Sequence, residues 1–254
     1  MDPRLRVAVF KFTGCAGCQM ELIRLGDDLL KLLEKIDFNY WYMVKRENIE
    51  GFYDISLIEG SVSTPREIEE LKEIRENSRV LVAFGDCAIG GCIPSIKDWL
   101  PEREVEGRVY EDPSHIRSIK VRGIGEYVDV DHYLPGCPPH KDTILDLLKA
   151  LILGVKPKLR SRPVCVECKL KEIPCLITMY GKPCMGPVTH GGCGAICPSH
   201  GRPCEGCYGP MSDPNPKSLA MTFKELGLSD ADIVRKFRKY AGLMPEFREE
   251  AGLP

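Results

Sequence analysis

The chain has 254 residues, of which 35 are Lys or Arg and 37 are Asp or Glu, so its formal net charge is only −2. This balance gives no overall positive charge that would attract nucleic acids or anionic membranes, so we expect neither as a partner. No apolar run approaches the ~18 residues that cross a bilayer, and we predict neither a membrane span nor a membrane partner. The first residues contain no signal-peptide core and no twin-arginine motif, so we expect a cytoplasmic protein.

Short apolar runs and amphipathic stretches alternate over the first 155 residues. Strands are predicted at 6–12, 38–44, 54–58 and 79–84, and helices at 20–36, 65–77 and 142–153. The clearest helix start has Thr64 as the N-cap, Pro65 in the first turn and Glu67 as the capping-box partner. This alternation predicts an α/β fold, a flavodoxin-like doubly wound parallel sheet, over residues 1–155.

The composition changes after residue 155. From 156 to 216 the chain is dense in Pro, Gly and Cys and has almost no hydrophobic periodicity. We expect metal coordination, rather than an ordinary apolar core, to hold this segment together. Two short helices are predicted after it, at 216–227 and 229–242. We therefore predict a second domain over 156–254, an irregular, Cys-rich unit with short C-terminal helices.

The placement of the thirteen cysteines is the strongest signal in the sequence. Eight of them fall within 43 residues, and the other five are spread over the first 137. A reducing cytosol disfavours disulfides, so clustered thiols there are typical of metal ligands. Thiolates bind both zinc and iron-sulfur centres, and the spacing alone does not separate the two.

Four cysteines follow predicted strands or precede a predicted helix. Cys15 and Cys18 come just after the first strand, Cys87 follows the fourth, and Cys137 lies in a Gly-Cys-Pro-Pro turn before a helix. Ligands of open α/β sheets collect at the carboxyl ends of the strands, so these four thiols, the first set, are predicted to converge on one site. The turn at Cys137 favours an iron-sulfur cluster; a zinc site and a redox-active Cys-x-x-Cys pair are the alternatives.

The later cysteines divide most simply in the order of the sequence. Each half has a Cys-x-x-Cys pair and two further cysteines, which suits a four-thiolate cluster. The division stays open, because in two-cluster proteins one cysteine of a motif binds the neighbouring cluster, and two structural zinc ions are the alternative. The second set is Cys165, Cys168, Cys175 and Cys184, and the third set is Cys193, Cys197, Cys204 and Cys207.

Three further side chains are candidate ligands. Cys92 is the thirteenth cysteine, and we predict a buried thiol beside the first set, with replacement of Cys87 as a ligand as the alternative. His190 and His200 lie inside the cysteine block. An ordinary structural role is favoured over metal ligation for both histidines.

Several short motifs occur in a fixed order between residues 5 and 210. They are Cys15-Ala16-Gly17-Cys18, Glu59-Gly60-Ser61-Val62, Gly85-Asp86-Cys87, Gly136-Cys137-Pro138-Pro139, Pro183-Cys184-Met185-Gly186-Pro187-Val188-Thr189, Gly192-Cys193 and Pro203-Cys204-Glu205-Gly206-Cys207. With these motifs the chain resembles the small, electron-transferring subunit of nickel-iron hydrogenases. It is most similar to the cytoplasmic types, including NADP-linked sulfhydrogenases and deazaflavin-non-reducing hydrogenases.

The resemblance implies three 4Fe-4S clusters, a proximal one on the first set, a medial one on the third set and a distal one on the second set. Exported relatives have a histidine ligand where this chain has Cys165, and often a three-iron cluster where Cys197 offers a fourth thiolate. The resemblance implies no catalytic residue, nickel, flavin or nicotinamide on this chain.

The resemblance also implies partners. A separate large, catalytic subunit would hold the nickel-iron site and cleave dihydrogen. Electrons would pass from the proximal to the distal cluster and on to subunits with flavin and iron-sulfur centres that serve NAD(P), with polysulfide reduction as a further reaction. The low content of Asn and Gln, four and one, beside 28% charged residues is typical of thermophilic proteins.

The residues alone are also compatible with three other functions. A structural-zinc interaction module would use the cysteines as a scaffold. A cluster subunit of a complex I-like oxidoreductase would have adjacent cysteines in the first motif and would lack the second block. A free-standing, ferredoxin-like carrier would need no large partner.

Overall fold

Five strands form one parallel sheet in the computed structural model, which describes residues 4–158 and 162–252. The strands are β1 (Leu5–Lys11), β2 (Ile36–Trp41), β3 (Tyr53–Glu59), β4 (Ser78–Phe84) and β5 (His132–Leu134). They pair in the order β2-β1-β3-β4-β5, and every pairing is parallel. This is the strand order of flavodoxin-like doubly wound folds, so the predicted fold class is confirmed.

Helices cover both faces of the sheet and continue through the second half of the described chain. They are α1 (Gly17–Ile23), α2 (Asp27–Leu32), α3 (Pro65–Glu76), α4 (Asp86–Gly90), α5 (Glu102–Val109), α6 (Lys141–Ile152), α7 (Val164–Leu170), α8 (Leu176–Tyr180), α9 (Ile196–Ser199), α10 (Pro216–Glu225) and α11 (Asp230–Ala241). Helices α1, α2 and α6 pack on one face and α3 on the other. Two 3₁₀ helices, Ile93–Trp99 and Ile124–Glu126, complete the set.

The side chains of strand β4 show that the sheet is buried on both faces. Val82 and Phe84 point into the core shared with α1, α2 and α6, whereas Leu81 and Ala83 point into the core under α3. All four side chains are fully buried. A near-continuous apolar run is what a central parallel strand requires, because neither of its faces meets water.

Two predicted elements differ from the structure. The helix predicted at 20–36 is two short helices, because Gly26 between them has φ +56°, a backbone conformation that ends a right-handed helix. The strand predicted at 38–44 begins two residues earlier, at Ile36, and ends at Trp41. The amide of Val44 donates a hydrogen bond to the Trp41 carbonyl at 2.9 Å, which closes a turn there.

The second half of the chain builds an apolar core with the C-terminal helices. The expectation that residues 156–216 have no ordinary apolar core is therefore wrong, while metal coordination of this segment remains a prediction. Met185 and Val188 are buried together with Phe223, Phe237 and Phe247, and the last two rings meet edge to face at 5.3 Å. Sequence periodicity misses this core because its residues come from loops and from helices far apart in the chain.

The two halves of the chain touch through named contacts. The Arg238 guanidinium of α11 lies 3.9 Å from the ring centroid of Trp99, and the His140 amide donates a hydrogen bond to the Tyr208 hydroxyl at 2.6 Å. The division at residue 155 remains a prediction. Within 4–158 and 162–252, no helix has the length and apolar composition needed to cross a membrane.

Candidate metal centres

The first set lies at the carboxyl edge of the sheet. Cys15 and Cys18 follow β1, Cys87 lies in α4 directly after β4, and Cys137 follows β5. The four thiols are close enough to act on one another: burial raises the pKa of Cys18, and Glu59, Cys87, Cys137 and Cys15 raise it further. Cys15 is exposed and Cys18 is buried, so the set spans the boundary between the surface and the core.

Gly85 leaves the space that the Cys18 sulfur occupies. This glycine has φ +89°, and a Cβ placed on it would lie 2.3 Å from Cys18 Sγ and 3.3 Å from the Gly136 carbonyl oxygen. A Cβ on Gly17 would lie 3.2 Å from Cys15 Sγ. The glycines of two predicted motifs therefore act by letting backbone approach sulfur closely.

A series of buried hydrogen bonds between polar side chains orients the segment that contains Cys18. Glu59 is 2% exposed, and its carboxylate accepts hydrogen bonds from the Cys18 amide at 3.1 Å and from Gln19 Nε2 at 2.7 Å. Trp41 Nε1 donates in turn to Gln19 Oε1 at 2.7 Å. The end of β2 is thereby tied to the first set. The motif at Glu59 pointed to this carboxylate, but no sequence signal pointed to Gln19.

Asp86 joins the two turns that carry Cys87 and Cys137. Its Oδ1 accepts a hydrogen bond from the Gly136 amide at 2.9 Å, and its own amide donates to the Gly136 carbonyl at 3.0 Å. Burial raises the pKa of this carboxyl to about 8. Among the described residues, Asp86 Oδ2 has no hydrogen-bond partner.

Cys92 lies beside the first set. Its side chain is 1% exposed, and its backbone has φ +42°. Side-chain hydrogen bonds with Cys137 and Cys87 raise the pKa of Cys92, and the same contact lowers the pKa of Cys137. The first set thus has a fifth thiol in direct contact with two of its members.

The second set surrounds one apolar cavity of about 100 Å³. Ile173, Leu176 and Ile177 contribute to its walls. Burial raises the pKa values of two of the thiols to about 11, and a Cβ on Gly186 would lie within 3.5 Å of two of the sulfurs. The members that line the cavity are Cys165, Cys168, Cys175 and Cys184.

The third set is distributed over the loop before α9, which carries Cys193, over α9 itself, and over the loop after it. Burial raises the pKa of Cys193, and Cys197 on α9 contributes to that shift. Burial also raises the pKa of Cys204 to about 12, with contributions from Cys184 and Cys193. Cys207 is half-buried and follows Cys204 in the same turn.

The third set touches both other sets. The Cys204 amide donates a hydrogen bond to Cys184 Sγ at 3.1 Å, which connects the third set with the second. The Tyr208 hydroxyl, next to Cys207 in the chain, accepts a hydrogen bond at 2.6 Å from the amide of His140, three residues after Cys137, which connects the third set with the first. The three sets therefore follow one another in the order first, third, second.

Glu167 is a site residue that the sequence did not single out. It lies on α7 between two cysteines of the second set and is 6% exposed. Its carboxylate accepts hydrogen bonds from the amides of Gly192 at 2.9 Å and Ala195 at 3.1 Å, on either side of Cys193. The signal that could have revealed it is an acidic residue inside a Cys-x-x-Cys motif of a buried segment.

The two histidines have different surroundings. His190 is half-buried, and its Nδ1 lies 2.6 Å from the Gly191 carbonyl oxygen. His200 is exposed at the end of α9. In the part of the chain that the structure describes, no three His, Cys, Asp or Glu side chains are grouped tightly enough to hold a single metal ion.

Comparison with known proteins identifies the family. A model described as NADH ubiquinone oxidoreductase, 20 Kd subunit, matches residues 15–151, which include the first set. The chain is 37% identical to sulfhydrogenase 2 subunit delta of Pyrococcus furiosus over 238 residues, which cover 93% of this chain and 99% of that protein. The chain belongs to the family of nickel-iron hydrogenase small subunits. This hydrogenase small subunit is also 34% identical to a vhu subunit of the F420-non-reducing hydrogenase of Methanocaldococcus jannaschii, over 95% of this chain and 91% of the relative.

Solved structures agree with this membership. A chain of an NAD+-reducing [NiFe]-hydrogenase is 32% identical with a TM-score of 0.56, and the match covers 62% of this chain and 96% of the other. A chain of the [NiFeSe] hydrogenase from Desulfovibrio vulgaris Hildenborough is 19% identical with a TM-score of 0.54, over 85% and 96% of the two chains, and shows the shared fold. The match to the sulfhydrogenase subunit spans 93% of this chain and therefore extends into the second cysteine block. The chain is thus an electron-transfer subunit of a hydrogenase.

Proposed function

We propose that this hydrogenase small subunit relays electrons through three 4Fe-4S clusters, proximal on the first set, medial on the third and distal on the second. The observation that carries the proposal is the order of contacts between the sets. The Tyr208 hydroxyl, next to Cys207, accepts a hydrogen bond from the His140 amide, three residues after Cys137, and the Cys204 amide donates one to Cys184 Sγ. A relay needs each centre to neighbour the next, and this order supplies both junctions.

The donor chemistry fits such clusters. Each set offers four thiols, and all thirteen cysteines are free of disulfides. Gly85 leaves room at the Cys18 sulfur where any side chain would intrude, and the Gly186 backbone approaches the Cys165 and Cys184 sulfurs closely. When bound, the clusters supply one-electron redox chemistry. The chain's own residues hold the clusters, keep water away from Cys18, Cys184 and Cys204, and donate amide hydrogen bonds to sulfur.

The two ends of the relay suit different partners. Cys15 is exposed at the sheet edge, and we assign this end to a large catalytic subunit with the nickel-iron site. Cys175 is exposed at the other end, which we assign to acceptor subunits with flavin and iron-sulfur centres that serve NAD(P). The relative named as an NAD+-reducing hydrogenase supports a nicotinamide acceptor, and the relative named as a sulfhydrogenase supports a sulfur compound, for which we propose polysulfide, as a further one. Dihydrogen oxidation and proton reduction would use the same path in opposite directions, in a cytoplasmic complex.

The test uses the complex isolated without oxygen. Under dihydrogen, electron paramagnetic resonance should detect reduction of all three clusters, and NAD(P)+ should be reduced. Replacement of Cys168 by Ala should remove the distal cluster and stop NAD(P)+ reduction, while the proximal and medial clusters still accept electrons. NAD(P)+ reduction at the normal rate without the distal cluster would contradict the relay.

A further inference from the structure

The cavity lined by the second set opens beside a larger surface depression. This depression has a volume of about 480 Å³, and it shares Ile173, Pro174, Leu176 and Pro198 with the cavity of the second set. Whatever occupies it therefore comes within one layer of side chains of the proposed distal cluster. No step of the proposed relay up to the distal cluster uses this surface.

Three lysines line the depression and the adjoining cavity. Lys171 and Lys182 line it and Lys169 lines the adjoining cavity, whereas Glu172 is the one acidic side chain among the described residues that line either of them. The Nζ atoms of two lysines are held at the rim: Lys171 donates to the Gly194 carbonyl, and Lys182 donates to the Gly201 carbonyl at 3.3 Å. Positive charge is thereby concentrated at this end of a chain whose net charge is −2.

Exposed apolar side chains lie among these lysines. Leu170 at the end of α7 is 77% exposed, and Met179 and Tyr180 at the end of α8 are 68% and 59% exposed. Tyr180 also lines the depression, and Lys182 Nζ lies 5.9 Å from its ring centroid. Apolar side chains that remain exposed together and are rimmed by charge are typical of a protein-binding surface.

We propose that the exit surface, formed by Lys169, Leu170, Lys171, Met179, Tyr180 and Lys182, docks an electron-accepting protein whose contact surface is acidic with an apolar centre. The inference rests on the proposed function, because it takes the second set as the exit of the relay. Complementary charge speeds and orients association, and the apolar centre excludes water from the contact. The exposed Cys175 side of the distal cluster then faces the cofactor of the partner.

The experiment reverses the charge at the rim in the whole hydrogenase complex. Lys171→Glu combined with Lys182→Glu should lower dihydrogen-dependent NAD(P)+ reduction at least tenfold, or release the acceptor subunits in native mass measurements. Iron content and dihydrogen-dependent reduction of the three clusters should stay unchanged. Lys35→Glu with Lys72→Glu, on exposed positions away from the second set, should leave all readouts at the wild-type level.

Two further outcomes separate the exit surface from the relay itself. If the charge-reversed complex delivers electrons and keeps its subunits like wild type, the exit surface is wrong while the relay stands. If dihydrogen fails to reduce the clusters even in the wild-type complex, the proposed function is wrong. If the Lys171→Glu, Lys182→Glu complex loses iron, the variant with Lys171→Gln and Lys182→Gln is measured by the same readouts. This pair removes the positive charges without introducing repulsion. Unchanged electron delivery to the acceptor subunits in that variant would contradict the proposed exit surface.

Discussion

The backbone amide of Cys204 donates a hydrogen bond to the sulfur of Cys184, 3.1 Å away, and so joins the third set to the second. Amide donors to sulfur stabilise the more negative, reduced state of a cluster, because they place positive hydrogens next to the added charge. The Cys204 carbonyl also accepts from the Met185 amide at 2.9 Å. Two adjacent backbone hydrogen bonds thus fix the junction between the proposed medial and distal clusters.

Gly85→Ala should prevent assembly of the proximal cluster. The added Cβ would lie 2.3 Å from Cys18 Sγ, far inside contact distance, and φ +89° adds backbone strain of roughly 1–3 kcal/mol. We expect the loss of about four irons per chain, measured by metal analysis. Gly26→Ala is the matched control, because it also has positive φ but meets no atom within 4 Å. Normal iron in Gly85→Ala would show that this close approach plays no part in cluster assembly.

Cys197→Ala should convert the medial cluster into a three-iron form. Cys197 lies on α9 and is the fourth thiol of the third set, so its removal leaves three sulfur ligands. Electron paramagnetic resonance of the oxidised protein should show a new three-iron signal, with about one iron lost per chain. A spectrum identical to wild type would remove Cys197 from the ligand set.

Cys92→Ser and Cys87→Ser should behave differently. Cys92 is buried against Cys87 and Cys137, but we assign ligation to Cys87, so Cys92→Ser should keep the full iron content. The exchange of its thiol hydrogen bonds to Cys137 and Cys87 for those of a hydroxyl should shift the midpoint potential of the proximal cluster in a redox titration. Cys87→Ser should lose the cluster. The opposite pattern of iron content would make Cys92 the ligand.

Glu167→Ala should loosen the connection between the second and third sets. It leaves the amides of Gly192 and Ala195 without their carboxylate acceptor, at a cost of about 1–3 kcal/mol for each buried group. We expect faster iron loss to a chelator, with Glu167→Gln intermediate because it keeps one acceptor oxygen. The exposed Glu69→Ala serves as control. Equal rates in all four proteins would show that this carboxylate does not stabilise the cluster-binding loops.

The fold and the first set follow from local patterns that sequence reasoning reads well. An apolar run such as β4 has a single favourable environment, the middle of a parallel sheet, and parallel strands bring Cys15, Cys87 and Cys137 to the same edge. The capping box at Thr64 and Glu67 forms as predicted, because it depends on residues only three apart.

What the sequence did not reveal depends on contacts between distant residues. The core that contains Met185 and Phe237 joins a loop to a helix about fifty residues later in the chain. No hydrophobic periodicity within one segment can therefore predict it. Glu167 looks like any acidic residue until α7 brings it against the loop at Ala195. The interruption of the predicted helix at Gly26 could not be predicted, because the helical spacing of apolar residues continues through this position.

Metal and sulfide analysis of the complex isolated without oxygen tests the central claim most directly. Three 4Fe-4S clusters predict about 12 irons and about 12 acid-labile sulfides on this chain, all reducible by dihydrogen through the attached catalytic subunit. Zinc bound to the cysteine sets with little iron or sulfide would contradict the relay and leave the thiols with a structural role.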